Sequence, residues 1–256
     1  MVLVSILSAP VVMAAAVSIE RRLGPSAAGW VAALPVSFAA AVVAVTLDAG
    51  TGTANAMALS AVTQVPAQVV FAVAFAAVLI RRGWVLGNAA GALAYVGCSI
   101  VLAAVPDALV MVAAIAMLAV APRLLTQARP NLGSSRRLST TILICSTASL
   151  IVGAAVLTSR LLGPQPAGAV LAFPTMSAIL AVAVANRDGP LAGAHALTGQ
   201  VRSLPCYLAF GLVVVLVAPS IGLAAIALGL LACAAAARAT WRRVPVASAA
   251  RALTPS

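Results

Sequence analysis

Few residues in this chain can do chemistry. Asp188, His195 and Arg202 recur at intervals of seven. On a helix they drift only about 20° per step and share one face. His195 is the single histidine, the side chain whose ordinary pKa lies near neutrality, which makes it the candidate for proton coupling. Arg202 suits an anionic group on a substrate. The same spacing also describes a short amphipathic helix at a membrane surface, polar side in water; the sequence leaves both readings open. A neutral counterpart lies earlier: Thr51, Asn55 and Thr63 fall near one face, and Gln64 and Gln68 lie a turn apart around Pro66. Amides and hydroxyls in lipid also bond neighbouring helices, a purely structural use.

The remaining chemistry is sparse. Glu20 adjoins Arg21 and Arg22 and reads as a neutralised surface charge, while Asp48 and Asp107 fall at helix ends. No HExxH, GxSxG or lysine-containing phosphate loop is present, and no two carboxylates share a deep span. We expect no enzyme, no metal and no cofactor. Cys98, Cys145, Cys206 and Cys233 each sit alone in an apolar run, the setting of small packed hydrophobes rather than of a metal or redox pair.

The elements that position these residues must be membrane helices. Hydrophobic residues make up 64% of the 256, charged residues 7%, and mean hydropathy is +1.17. A soluble domain carries about 25% charged residues, so a soluble enzyme is excluded. The net charge of +11 comes from arginines clustered between apolar runs, a membrane topology signal rather than a nucleic-acid footprint. Spans of about 20 apolar residues are expected at Val2–Ile19, Ala27–Leu47, Ala49–Ile80, Trp84–Val105, Pro106–Leu125, Leu138–Ser159, Pro166–Ala185, Gly189–Ala218 and Ile221–Ala237. Ala49–Ile80 and Gly189–Ala218 are too long for straight crossings, so each should be broken, steeply tilted, or begin as a separate short helix. With these nine crossings every arginine except Arg160 falls on the cytoplasmic side, the N-terminus lies outside and the C-terminus inside the plasma membrane. The first segment has no basic stretch before its apolar run, as expected of a first span inserted with its N-terminus outside rather than of a signal peptide. Trp84, Trp241 and Tyr207 read as interfacial anchors. Gly87/Gly91, with small-xxx-small spacing, and the looser Gly222/Gly229 pair suit close packing within the monomer or in a dimer.

The two halves align without gaps at an offset of 139: Gly24-Pro25 on Gly163-Pro164, Gly29 on Gly168, Pro35 on Pro174, Gly50 on Gly189 and Pro66 on Pro205. Gly-Pro makes a surface turn; Pro35 and Pro174 should then lie inside a helix and break its hydrogen bonding, tolerable in lipid only where protein or a hydrated cavity covers the break. Spans one to four match spans six to nine, and the unpaired fifth inverts the second copy. The expected fold is therefore an all-α, polytopic bundle: a first four-span repeat (1–105), a linking span with an Arg-rich cytoplasmic loop (106–138), an inverted second repeat (139–244) and a cytoplasmic tail (245–256).

The shared pattern G-P-x3-G-x5-P resembles one in uncharacterised bacterial multi-pass proteins with an inverted repeat. The layout is similar to that of small exporters of the drug/metabolite transporter type, which have ten spans rather than nine. The resemblance implies a secondary transporter but carries over no functional residue. Inverted repeats with broken helices place a substrate site between the repeats near mid-membrane. Pro35, Thr51, Asn55, Gln64, Pro174, Thr175, Asp188, His195 and Arg202 are the candidate substrate-binding residues, for a small anionic or amphipathic metabolite. A scaffold or partner subunit of a membrane complex, or a lipid-handling protein, is the alternative; a homodimer fits either. Topology is testable by labelling: a cysteine at Ser159 should react with an impermeant thiol reagent outside the cell and one at Ser134 should not. Equal reaction at both would remove the nine-span arrangement.

Overall fold

A computed structural model describes residues 14–20, 22–125, 163–242 and 244. Leu138–Ser159, the loop from Gln127, Cys145 and most of Val2–Ile19 lie outside them. The described residues are helical, without strands. After a helical segment at 14–20 come α1 (Pro25–Ala32), α2 (Val36–Thr63), α3 (Val65–Arg82), α4 (Trp84–Leu102), α5 (Asp107–Leu124), α6 (Pro164–Ala172), α7 (Thr175–Asp188), α8 (Pro190–Ile221) and α9 (Ala224–Trp241). Five helical stretches among the described residues are long and apolar enough to cross a membrane. Leu93, Ile100, Val112, Ile115, Leu216 and Leu231 are each at least 60% exposed on α4, α5, α8 and α9. In water so many open aliphatic side chains would form an aggregating surface; facing acyl chains they cost nothing.

Helix starts follow from local chemistry. Pro25, Pro164 and Pro190 open α1, α6 and α8, each after a glycine at positive φ, because proline's missing N–H is no loss in a first turn. Pro35 and Pro174 do not lie inside helices as expected. Each stands at the N-cap of the next helix, α2 or α7. Val36 N–H bonds the Leu34 carbonyl and Thr175 N–H the Phe173 carbonyl, both at 2.8 Å. With φ/ψ of −77/36 at Pro35 and −80/55 at Pro174, both breaks approach inverse γ-turns. Ala27–Leu47 is therefore two helices, and α2 continues beyond it with a further interruption at Gly50 (φ 85°). The long Ala49–Ile80 segment divides at Gln64 between α2 and α3. The long Gly189–Ala218 segment does not divide: α8 runs through Pro205 for 32 residues, about 48 Å at 1.5 Å per residue.

The six positive-φ glycines among the described residues form three pairs 139 residues apart: Gly24/Gly163, Gly50/Gly189 and Gly83/Gly222. Helix ends repeat at the same spacing: Arg82 with Ile221, Leu102 with Trp241. Contacts between the halves are reciprocal. A Cβ on Gly29 would come within 1.9 Å of the Ala196 carbonyl oxygen, and one on Gly168 within 2.4 Å of that of Met57; Met57 and Ala196 are themselves 139 apart. Gly199 backs onto the Ser26 carbonyl in the same way, while its counterpart Ser60 donates to the carbonyl of Gln165, the counterpart of Ser26, at 2.6 Å. Glycine is required at Gly29 and Gly199 because backbone meets backbone there.

Gly87 and Gly91 pack on Phe71, Phe75 and Leu79 of α3, and Gly229 on Phe210 of α8, so they serve contacts within the chain. We expect Gly29→Val or Gly199→Val to destabilise the purified protein by at least about 1–3 kcal/mol. Gly52→Ala, which meets open space, should cost nothing; melting temperature in detergent is the measurement.

Candidate functional site

The two interruptions face one another across a cavity of about 80 Å³. From the first half it is lined by Leu34, Pro35, Ser37, Phe38 and Gln68, and from the second by the counterparts Phe173, Pro174, Met176, Ser177 and Tyr207, with Thr175 and Gln200. Equivalent residues thus meet where the halves meet. The volume admits several waters or one small polar group, well under the roughly 300–1,000 Å³ of drug-sized sites.

Its polarity comes from neutral groups. Gln68, Gln200 and Tyr207 are 4%, 0% and 6% exposed. Gln68 Nε2, both amide atoms of Gln200 and the Tyr207 hydroxyl lack hydrogen-bond partners among the described residues. Each such group costs about 1–3 kcal/mol if left unmet, so several converging on one cavity is an expensive arrangement that folding alone does not call for. Phe38 stacks on Tyr207 at 4.8 Å and meets Phe210 edge-on at 5.3 Å, giving the cavity one aromatic wall.

Backbone adds a directional field. The first turns of α2 and α7, at Ser37, Phe38, Thr175, Met176 and Ser177, open on the cavity. The Val36 and Thr175 N–H groups are taken by the turns themselves; those of Phe38, Met176 and Ser177 have no intrahelical acceptor, and the helix dipole places partial positive charge there. The last residues of α1 and α6 bring carbonyl ends to the same place. Among the described residues no charged side chain lines it.

The candidates named from sequence divide. Pro35, Pro174 and Thr175 line the cavity. Thr51 is exposed. Asn55 is half-buried, its Oδ1 without a partner among the described residues. Gln64 accepts a hydrogen bond from Ser99 at 2.7 Å in a second cavity. Asp188 is the last residue of α7, separated from α8 by Gly189 at φ 94°, so it does not share a helix face with His195 and Arg202; it pairs with its neighbour Arg187, whose Nε donates to both carboxylate oxygens at 2.9 Å. His195 is 1% exposed, both ring nitrogens unpartnered among the described residues, and Arg202 is half-buried with an unpartnered Nη1. Residues 192–201 are all buried, so this stretch is not a surface helix with its polar side in water.

Two other expectations change. Glu20 is no surface charge beside Arg21 and Arg22: it is 3% exposed and ion-paired with Arg187. Tyr207 is buried at the cavity rather than anchored at an interface. Sequence reasoning missed Gln200 and Tyr207. The available signal was the offset itself, since Tyr207 is the counterpart of Gln68.

Comparison with protein-family models, with curated proteins and with solved structures finds no match. The orphaned polar groups make a stability prediction. Gln200→Met and Tyr207→Phe should leave the melting temperature unchanged or higher, because each removes an unmet polar group. Ser60→Ala, which deletes a bonded hydroxyl, should lower stability by about 1 kcal/mol.

Proposed function

We propose that the protein is a secondary transporter in which two inverted repeats hold a small anionic solute between their interrupted helices. The observation carrying this reading is the cavity: paired helix breaks, paired lining residues and buried donors without partners meet at one place. The 139-residue spacing of positive-φ glycines and the reciprocal Gly29–Ala196 and Gly168–Met57 contacts support a two-fold relation between the halves. A two-fold exchange is what reciprocal contacts imply, and an odd linking span turns it into inversion.

The chemistry favours an anionic group. Two helix N-termini and the amides of Gln68 and Gln200 offer donors, as half-helix N-termini do for anionic groups in transporters built this way. A cation would find helix carbonyl ends but no carboxylate among the described lining residues. The small volume favours a compact carboxylate over a bulky amphipath. His195 lies five residues before Gln200 on α8, about 8 Å along the axis, and remains the candidate for proton coupling; Arg202 lies just beyond Gln200 on the same helix.

The test is flux. Proteoliposomes should take up radiolabelled short-chain monocarboxylates above protein-free vesicles, saturably. Gln200→Ala should cut uptake by about tenfold, the equivalent of one buried hydrogen bond. His195→Ala should flatten the dependence of uptake on external pH without loss of folded protein. Absence of flux from wild-type protein, with a stoichiometric partner co-purifying, would instead establish the scaffold reading.

A further inference from the structure

The two sides of the central cavity carry different residues at equivalent positions. On one side Trp30 of α1 meets Trp241 of α9 edge to face, centroids 4.9 Å apart, and Trp30 Nε1 donates to Thr240 Oγ1 at 3.2 Å. Trp30 is 7% exposed, so its indole is packed. The residues 139 positions away from Trp30, Trp241 and Thr240 are Ala169, Leu102 and Val101. Where the aromatic lock would have its twin there is a cavity of about 400 Å³, lined by Ala169 and Leu102 with Ser60, Gln64, Ser99 and Asp107. A methyl and an isobutyl group replace two indoles, and hydroxyls, amides and the Asp107 carboxylate wet the space left.

Neighbouring residues of α6, Ala169 and Val170, line this vestibule and the central cavity respectively. Phe173 lines the central cavity, Ala169 one turn earlier lines the vestibule, and Tyr95 braces both. Its hydroxyl donates to the Ala169 carbonyl at 2.6 Å, and its ring meets Phe173 edge-on at 5.1 Å.

We propose that the vestibule is the open mouth of the solute path, gated by Tyr95 and Phe173, and that Trp30, Trp241 and Thr240 form the gate closing the opposite mouth. This rests on the inverted-repeat reading, under which equivalent positions lie toward opposite membrane faces. Solute passes when the two gates open in turn, the rocking expected of repeats around a fixed site. The asymmetry belongs to the sequence: one indole from each half meets at one side, while their counterparts at the other are Ala169 and Leu102.

Accessibility tests this without knowing the solute. In full-length protein with Cys98, Cys145, Cys206 and Cys233 replaced by alanine, Ser60→Cys reports on the vestibule and Ser177→Cys on the central cavity. Both are treated with an impermeant methanethiosulfonate on right-side-out and inside-out vesicles. Ser60→Cys should react from one face only, and Ser177→Cys slowly from either. Adding Tyr95→Ala should speed Ser177→Cys about tenfold from the Ser60 face. Adding Trp30→Ala should speed it about tenfold from the opposite face.

Trp241→Leu, copying Leu102, should act like Trp30→Ala if the latter fails to fold. Conversely, Ala169→Trp with Leu102→Trp should build a second lock and suppress labelling of Ser60→Cys. If folded Trp241→Leu protein leaves Ser177→Cys equally slow from both faces, or speeds it from the Ser60 face, the gate assignment is overturned. Because the readout needs no flux, gates that label as expected in a protein that moves no carboxylate would separate failure of the transport reading from failure of this one.

Discussion

A helix interrupted in hydrocarbon leaves backbone donors and acceptors that no water can satisfy, and each unmet group costs several kcal/mol. Two such interruptions, at Leu34–Val36 and Phe173–Thr175, dominate this molecule. The arrangement consistent with that cost is to bring them together, cover them with the other half of the chain and give them polar company. The close approaches serve this end. Gly29 against Ala196 and Gly199 against Ser26 draw α1 onto α8 until backbone touches backbone, which sets the rotation of α8 and presents Gln200 and Tyr207 to the breaks.

The same constraint explains why the described lining of the cavity is polar yet uncharged. A charge buried among apolar helices costs more than an amide does, and the helix ends already supply partial charges of both signs. Several of the described charges, such as Arg81, Arg82 and Arg238, are exposed, and Arg187 is neutralised between Glu20 and Asp188 at the end of α7. His195 and Arg202 depart from that economy, which is why they stay within the proposed function although neither lines the cavity.

Legibility in sequence tracks how local each feature is. Glycine and proline encode backbone conformation directly, so the breaks near Pro35 and Pro174, the turns at Gly24 and Gly163, and the 139-residue spacing could be read from residues alone. Proline's effect is less determinate. Pro66 starts α3, while its counterpart Pro205 sits inside an unbroken α8, because flanking contacts decide whether a lost hydrogen bond becomes a break. The pairing of Glu20 with Arg187 across 167 residues and the inward rotation of Tyr207 depend on how the halves dock. Heptad spacing put Asp188, His195 and Arg202 on one helix face, but Asp188 ends α7 before the turn at Gly189 and only His195 and Arg202 share α8, because a glycine turn resets the helix phase.

The central claim is that the cavity between the paired breaks is a binding site. Equilibrium dialysis of purified protein in detergent against a radiolabelled short-chain carboxylate tests it most directly, comparing wild type with Gln200→Met. The account predicts saturable binding of one carboxylate per wild-type chain, and none by a Gln200→Met protein that melts at the same temperature or higher. Equal binding by both proteins, or none by a folded wild type, would contradict it.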